Sequence, residues 1–457
     1  MSELDKIRLS EEGKYKLRGA YKAEGITQEE LAKNANTSID TVKRLLETKP
    51  PYGVERWLAT KIVNVVNLKL TELGVPECCN VEEQLPEEFA ALIEEKTRLF
   101  CGRKFVFDAF EQFLNKHPKG YFTVVGEAGM GKSALAAKYI LEYRAPCYFN
   151  VLAEGRNRSE FFLESIREQL IRRYQLQGAE KANLAALLEK VSQKLLDGER
   201  LVIVVDALDE VEQEPGKNLL HLPITMPDRV YFLLTRRPYN RGDKGITVSP
   251  GIPLEELNLT TQEYEGFNYA DVKAYIHLML HENLTYQVAL RKWVEARNLQ
   301  EDEFVEQVTA KSENNFMYLR YVLPAIAEGL YNDLKLQELP QGLQAYYQTH
   351  WVRMGMDEAA QKRMVIVLFI LVEVGTPITC EMIVKITGEE EYEVRRILEQ
   401  KWREYLKQQE IEQELCYSLY HTSFLDFLKK KRELAQTRRL FQDVNQKIVD
   451  YLEGEMN

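Results

Sequence analysis

Three short runs of mostly apolar residues stand out along the chain, and each predicts a buried β-strand. They occupy residues 121–125, 201–205 and 230–234, and a fourth run at 146–152 has the same character. Nearly continuous apolar runs are typical of strands that are covered on both faces of a parallel sheet. Much of the remaining chain has helical periodicity. The pattern predicts an α/β core, a parallel sheet with helices on both faces, with all-α segments on either side.

A phosphate-binding pattern, G-x-x-x-x-G-K-S/T, follows the first predicted strand directly. It occupies residues 126–133, here called the phosphate loop, and an Ala- and Leu-rich segment predicted to be a helix comes next. Glycines let backbone N–H groups turn toward an anion, and the start of a helix adds partial positive charge. This context disfavours a chance glycine loop. The candidate nucleotide-binding residues of the loop are Gly126, Glu127, Ala128, Gly129, Met130, Gly131, Lys132 and Ser133.

Within this loop, two side chains have specific expected partners. Lys132 is expected to reach the β- and γ-phosphates of ATP, and the Ser133 hydroxyl is expected to bind Mg²⁺. The run at 201–205 is followed by Asp206, Asp209 and Glu210. Ligands of open α/β sheets bind at the carboxyl ends of the strands. Asp206 is therefore expected to hold Mg²⁺ opposite Ser133. Asp209 or Glu210 is expected to orient the attacking water.

The third predicted strand ends in the sequence Thr-Arg-Arg-Pro at residues 235–238. An arginine at this place can sense or stabilise a γ-phosphate, although a surface arginine is an open alternative. The run at 146–152 lies between the phosphate loop and Asp206 in the chain. The sheet is therefore predicted to have an inserted strand between its two catalytic strands.

Residues 25–47 have the pattern of a helix-turn-helix. Thr27 and Glu30 form a capping box, and a turn at 34–37 separates two predicted helices. Thr41, Lys43 and Arg44 are expected to lie outside, where a recognition helix meets a major groove. Residues 1–75 hold 13 basic and 11 acidic residues, which is weak for DNA binding. DNA contact and a protein-interaction role both stay open.

Composition sets outer limits to the function. The chain of 457 residues is 45% hydrophobic and 29% charged, which indicates a globular protein of several domains. Its formal charge of −11 disfavours wholesale nucleic-acid binding. The longest apolar run, 364–372, is too short to span a bilayer, so no membrane partner is expected. No signal peptide is evident, which predicts a cytoplasmic protein with reduced thiols. No metal-ligand spacing links the cysteines, which are Cys78, Cys79, Cys101, Cys147, Cys380 and Cys416.

A pair of histidines is also notable. His277 and His281 lie four residues apart on a predicted helix, but the residues between them include no acid. The pair therefore does not match a zinc-protease helix, and surface or half-buried histidines are the favoured interpretation.

The order of the nucleotide motifs resembles the NACHT branch of the STAND signal-transduction NTPases. The resemblance covers residues 98–435 and rests on GEAGMGKS, LVIVVDALDE and LLTRRP. It implies that Gly102 and Arg103 contact the base and ribose. It also implies that Arg237 is the sensor arginine, although Arg236 replaces a small residue of the family pattern. The segment 419–428 resembles the family's winged helix, which implies that His421 contacts the β-phosphate of ADP in a closed state.

Together these features predict the following domains: a helix-turn-helix domain at 1–75, an acidic linker at 76–98, a nucleotide-binding domain at 99–258, a helical domain at 259–343, a winged-helix domain at 344–435 and a C-terminal helix at 436–457. The predicted function is an ATP/ADP switch with slow hydrolysis, which forms a homo-oligomer with ATP. Its output would be DNA-associated regulation or defence signalling through residues 25–47, or an unknown protein effector. The alternatives are an interaction scaffold with negligible turnover and a AAA+-like DNA remodeller or transposition regulator.

Overall fold

The computed structural model describes most of the chain, and its buried hydrophobic residues form three separate cores. The first core lies within residues 9–73, the second within 89–259 and the third within 272–448. The described residues are 6–7, 9, 11–35, 37–46, 54–66, 68, 73, 85–151, 155–196, 199–211, 217–238, 245–356, 362–411, 413–419, 422–435 and 439–454.

The N-terminal unit, residues 6–73, is small and mainly helical. Its elements are Lys6–Ile7 (β1), Glu11–Ala23 (α1), Gln28–Asn34 (α2), Ile39–Leu45 (α3), Val54–Glu55 (β2) and Arg56–Asn64 (α4). The capping box at the start of α2 is confirmed, because Thr27 Oγ1 accepts from the Glu30 N–H while Glu30 accepts from the Thr27 N–H. The expectation that Thr41 is exposed is wrong. Its side chain is buried, and its hydroxyl lies 2.8 Å from Ser38 Oγ.

The central unit, residues 85–259, is built on a five-stranded parallel sheet. Its elements are Glu87–Thr97 (α5), Lys104–Lys116 (α6), Gly120–Val125 (β3), Lys132–Tyr143 (α7), Cys147–Phe149 (β4), Ser159–Tyr174 (α8), Leu184–Ser192 (α9), Leu201–Asp206 (β5), Val230–Arg236 (β6) and Leu254–Asn258 (β7). Every residue of β3, β5 and β6 is buried, as their apolar sequences predict. The carboxyl ends of all five strands meet at one edge.

The strand order corrects one expectation from the sequence. Its order is β4-β5-β6-β3-β7, and each neighbouring pair is parallel. The strand inserted between β3 and β5 is therefore β6, which ends at Arg236. The run at 146–152 contributes only β4, which lies beside β5 at the edge of the sheet. Position along the chain does not fix position in a parallel sheet, because long crossovers can pass over a neighbouring strand.

Part of the predicted acidic linker is also corrected. Residues 87–97 form α5, which packs on α7 as part of the central unit. Phe89 and Ile93 are buried on its inner face, and the Phe89 ring lies 5.5 Å from that of Tyr148. The glutamates lie on the outer part of an amphipathic helix. The many glutamates suggested a linker in the sequence, since a helix with so narrow an apolar stripe shows little hydrophobic periodicity.

The helical unit, residues 262–338, and the C-terminal unit, residues 342–454, share the third core. The helical unit contains Gln262–His281 (α10), Gln287–Glu295 (α11), Glu301–Ser312 (α12) and Phe316–Ala327 (α13). The C-terminal unit contains Gly342–Arg353 (α14), Lys362–Val374 (α15), Ile378–Thr379 (β8), Cys380–Thr387 (α16), Glu391–Arg395 (α17), Leu406–Ile411 (β9), Glu414–Leu419 (β10), Thr422–Lys429 (α18) and Arg439–Leu452 (α19). Strand β10 lies between β8 and β9 in an antiparallel sheet. Assignment of this unit as a winged helix stays a prediction.

Within the residues that the structure describes, no helix is both long enough and apolar enough to cross a bilayer.

Candidate functional site

The phosphate loop connects β3 to α7 at the carboxyl edge of the sheet. Gly129 and Gly131 both have a φ of +83°, a left-handed conformation that favours glycine. Lys132 opens α7 and bends back over the loop. Its Nζ donates to the carbonyl oxygens of Gly126 at 2.7 Å and Glu127 at 3.0 Å. The loop thus holds its cationic side chain beside the N-terminus of α7.

Burial lowers the pKa of Lys132 to about 8, against the opposing effect of the nearby Asp209 and Asp206 carboxylates. The side chain is only 9% exposed. A phosphate bound beside this ammonium would stabilise its charged form, because a nearby anion offsets the effect of burial on the pKa.

Asp206 ends β5 and lies beside the loop. Its Oδ1 accepts a hydrogen bond from the Thr235 hydroxyl of β6, and the Ser133 side chain also bonds its carboxylate. Burial raises the pKa of Asp206, whereas these two hydrogen bonds lower it. The structure therefore brings together the hydroxyl and the carboxylate that the sequence predicted as Mg²⁺ ligands. Oxygen donors of this kind suit a hard divalent cation.

The two arginines after the third predicted strand point in different directions. Arg236 is buried and donates to Glu256 of β7 at 2.8 Å. Arg237 instead faces the phosphate loop, where its Nε lies 3.1 Å from Asp209 Oδ2 and its backbone N–H donates to Asp209 Oδ1 at 2.9 Å. Alternation along an extended chain sends adjacent side chains to opposite sides, so only one arginine can face the site.

Arg237 also contacts the C-terminal unit. Its Nη1 donates to Oδ2 of Asp426 on α18, so one guanidinium joins two carboxylates that lie 217 residues apart in the sequence. Burial lowers the pKa of Arg237, but the charges of Asp426 and Asp209 outweigh burial and raise it overall. This arginine is thus a cationic link between the site and α18.

The segment Gly102-Arg103 supports the phosphate loop from outside. The residue Arg103 is 1% exposed, and its Nη2 donates to the Met130 carbonyl at 2.6 Å. Its Nη1 donates to Asn268 of α10, and its backbone N–H donates to Asp271 at 2.8 Å. Burial lowers the pKa of Arg103 to about 10. The buried Nε has no hydrogen-bond partner among the described residues. The predicted contact of this pair with base and ribose stays a prediction.

The helical unit makes two further bonds to the same loop. Asn315 precedes α13, and its Nδ2 donates to the Ala128 carbonyl at 2.8 Å. The next backbone N–H, of Phe316, donates to the Gly129 carbonyl at 2.9 Å. A Cβ on Gly129 would lie 2.2 Å from Asn315 Oδ1, so only glycine permits this approach. Together with Arg103, these contacts bind the carbonyls of three successive loop residues.

Many of these groups line one cavity of about 420 Å³. Beyond the phosphate loop its wall combines charged and polar side chains with aromatic ones, and Tyr275, Tyr286 and Phe316 are among the aromatic lining residues. The predicted site residues that line it are Arg103, Ala128, Gly129, Gly131, Lys132, Ser133, Asp206, Asp209, Glu210 and Arg237. Gly102, Gly126, Glu127 and Met130 do not line it, although they shape or support the loop. His421 lies outside the described residues.

Sequence analysis missed several residues that touch this site. Asp426 lies within the segment 419–428, but nothing in its spacing indicates an arginine partner. Asn315 precedes an apolar helix, which signals only a helix cap. Asn268 and Asp271 lie one turn apart on α10, and they look like ordinary polar positions.

The sheet, the loop, the lysine and the strand-end aspartate define a P-loop NTPase domain, which implies nucleotide binding. Residues 121–283 match the NACHT domain. Among curated proteins, no sequence matches this chain.

Two solved structures are examples of those with some similarity to this chain. The Holliday junction branch migration motor RuvB of Thermotoga maritima has a TM-score of 0.24 at 13% identity, and the match covers 75% of this chain and 95% of that one. A structure of Drosophila ORC bound to DNA has a TM-score of 0.26 at 13% identity, and the match covers 75% of this chain and 99% of that one.

Proposed function

We propose that this protein is a nucleotide-dependent switch, in which the identity of the bound nucleotide decides whether the C-terminal unit stays docked on the NACHT domain. The observation that carries the proposal is the position of Arg237 between Asp209 and Asp426. Because Arg237 lies at the cavity and also pairs with the C-terminal unit, the nucleotide bound in the cavity can influence whether that unit stays docked.

The chain's own residues have separate roles in this proposal. Lys132 and the loop N–H groups bind phosphates, and Ser133 and Asp206 would hold Mg²⁺, which supplies charge neutralisation at the phosphates when bound. Both Asp209 carboxylate oxygens contact Arg237. Asp209 is therefore proposed to position the arginine, and Glu210 to orient water.

Docking is proposed to depend on competition for one guanidinium. Arg237 can bind Asp426 when the cavity holds a diphosphate, whereas a terminal phosphate offers it a stronger anionic partner. The two nucleotides thus have different affinities for the docked and released forms, which is the requirement for a population shift. Release of α18 would expose surface for a homo-oligomer. The resemblance adds His421 as a second latch, and this stays a prediction.

Loop carbonyls provide a second link between nucleotide and conformation. The bonds from Arg103, Asn315 and Phe316 attach the phosphate loop to α10 and α13. If nucleotide binding moves these carbonyls, the helical unit must move with them or lose the bonds. The helical unit shares its core with the C-terminal unit, so such a movement can reach that unit as well.

Replacing Asp426 with asparagine tests the switch. The pair with Arg237 is partly exposed, so it contributes about 1 kcal/mol, and its loss is expected to speed ADP release roughly fivefold. Oligomers should then form at lower ATP-analogue concentration. Stopped-flow release of a fluorescent ADP and light scattering measure the two effects.

The matched control is Asp450→Asn on α19, where an exposed carboxylate accepts from Gln446 at 2.7 Å. It should leave release unchanged. A double-mutant cycle with Arg237→Gln isolates the pair. Native-rate ADP release in Asp426→Asn, at unchanged melting temperature, would exclude the arginine as the link.

Among the alternatives, a scaffold would retain ADP through purification and hardly turn over ATP, whereas a DNA remodeller would show steady ATPase stimulated by DNA. The bound nucleotide of the purified protein, with the oligomeric state in ADP and in ATP analogue, separates these functions from the switch. A single oligomeric state in both nucleotides would reject the switch.

The N-terminal unit is proposed to carry the output, with DNA as its first candidate partner. Lys43 and Arg44 are partly exposed on α3. Changing both to alanine should weaken DNA binding of the oligomer. It should also reduce the salt dependence of binding, because fewer phosphate contacts release fewer counterions from the DNA. Fluorescence anisotropy with random duplex DNA measures both. Lys22→Ala with Lys33→Ala, outside α3, is the control. Absence of DNA binding by the native oligomer at low salt would assign this unit to a protein partner.

A further inference from the structure

Three side chains with metal-ligand chemistry converge on the outside of the helical unit. His277 and His281 lie one turn apart at the end of α10, and Glu301 is the first residue of α12. The Glu301 Oε1 atom is 2.7 Å from His281 Nε2 and 3.4 Å from His277 Nδ1. Two imidazoles from one helix thus meet a single carboxylate oxygen from another.

Their arrangement suits coordination. The two rings are nearly parallel, with 15° between their planes and 6.2 Å between their centres. One donor atom from each side chain lies within 4.8 Å of the other two. Zinc binds nitrogen and oxygen donors at about 2.0–2.2 Å, so donors around one tetrahedral ion lie roughly 3.3–3.6 Å apart. The 3.4 Å between Glu301 Oε1 and His277 Nδ1 already has that spacing, whereas the 2.7 Å to His281 Nε2 is shorter. The side chains are 40–46% exposed, which leaves room for water as a further ligand.

We propose that His277, His281 and Glu301 form a binding site for a divalent transition-metal cation of the Zn²⁺ type. Imidazole nitrogen with one carboxylate is a donor set for borderline cations such as Zn²⁺, Ni²⁺ and Co²⁺, whereas Mg²⁺ prefers oxygen ligands. The site is separate from the Ser133–Asp206 pair in the nucleotide cavity.

A neighbouring cluster on the same two helices gives the contrast. Glu306 of α12 accepts from Tyr269 and Lys273 of α10, which is an ordinary polar cross-link between helices. A lysine ammonium and a phenol do not ligate Zn²⁺ at neutral pH. At Glu301 both partners from α10 are imidazoles, so every side chain of this interhelical cross-link can ligate Zn²⁺.

Binding at this place would stiffen the support of the nucleotide cavity. The ion would join the last turn of α10 to the first turn of α12, directly before Asn283, Thr285 and Tyr286, which line the cavity. The same helix α10 carries Asn268 and Asp271, which hold Arg103 against the phosphate loop. The metal would thus hold in place the helix on which the loop rests. This consequence rests on the proposed function, but metal binding itself does not.

The test is calorimetric titration of the full chain, without a histidine tag and after EDTA treatment, with ZnCl₂ and separately with MgCl₂. We expect one saturable Zn²⁺ site with a rise in melting temperature, and no Mg²⁺ binding there. His277→Ala, His281→Ala and Glu301→Gln should each weaken Zn²⁺ at least about tenfold and abolish that thermal shift. Glu306→Gln is the matched control, because it removes the neighbouring cross-link without removing a ligand.

Two results would overturn the site. One is no saturable Zn²⁺ binding by the native chain at up to roughly 100 µM. The other is Zn²⁺ affinity unchanged in the two histidine variants, which would place the ion on thiols instead. Circular dichroism shows whether each variant is folded, and Glu301→Gln, the mildest change, tests the site if an alanine variant unfolds. Nucleotide affinity is measured in the same samples, so that failure of the Zn²⁺ site can be told apart from failure of the nucleotide switch.

Discussion

Replacing Lys132 with alanine is expected to weaken ADP and ATP binding by roughly 100-fold, because a buried ammonium that bonds a phosphate contributes about 3 kcal/mol. Lys132 lines the cavity and is held beside the N-terminus of α7 by the carbonyls of Gly126 and Glu127. Fluorescent-nucleotide titration measures the loss. Lys138→Ala is the matched control, since this lysine lies on the same helix but pairs with Glu142.

The pH dependence of binding gives an independent check on this lysine. Burial lowers the pKa of Lys132 to about 8, so the ammonium is charged below that pH and loses its proton above it. Phosphate binds the charged form, so affinity should fall as pH rises through 8, with proton uptake on binding. Calorimetry at pH 8 in buffers of different ionisation enthalpy detects that proton. An Lys132→Ala variant with native affinity and native pH dependence would exclude the phosphate loop as the site.

Substitutions of the acids at the end of β5 should separate metal binding from hydrolysis. Asp206→Asn is expected to abolish the gain in ATP affinity that Mg²⁺ provides, because a neutral amide is a weak ligand for a hard cation. Glu210→Gln should slow hydrolysis roughly 100-fold while ATP stays bound, as loss of a water-orienting carboxylate does.

The readouts distinguish these roles from simple unfolding. ATP titration with Mg²⁺ and with EDTA reports on Asp206 even if turnover is slow. Single-turnover hydrolysis reports on Glu210. The control is Glu255→Gln on β7, a carboxylate that pairs with Lys116 and His117 away from the cavity. Native-rate hydrolysis by Glu210→Gln would contradict its assignment, and an unchanged Mg²⁺ effect in Asp206→Asn would contradict the cation pair.

Much of the geometry of the candidate site was predictable because it is local in the chain. The phosphate loop needs a glycine-rich turn between a strand and a helix, and these features are adjacent in residues 121–141. Asp206 was predictable because a fully apolar strand ends at it, and parallel strands end at a common edge. The capping box of Thr27 and Glu30 is equally local, since it spans a single helical turn.

Hydrophobic pattern alone was less informative where an element has few buried positions. Helix α5 buries only Phe89 and Ile93 in a segment rich in glutamate, so composition indicated a linker. Thr41 looked like an exposed recognition residue, but its hydroxyl contacts Ser38 inside the N-terminal unit. In both cases the contacts of one or two side chains decided the structure, whereas the overall polarity of the segment pointed the other way.

The sequence by itself determined the fold of the phosphate loop, the three buried strands of the core and the acids at the end of β5, since short-range backbone and burial requirements specify all of these. Only the tertiary structure decided that β6 lies between β3 and β5 and that Arg237 rather than Arg236 faces the cavity. It also decided that Asp426 pairs with Arg237 and that Asn315 bonds the phosphate loop. Each of those contacts joins residues far apart in the chain. Their geometry depends on how whole units pack, and no local spacing or periodicity encodes that packing.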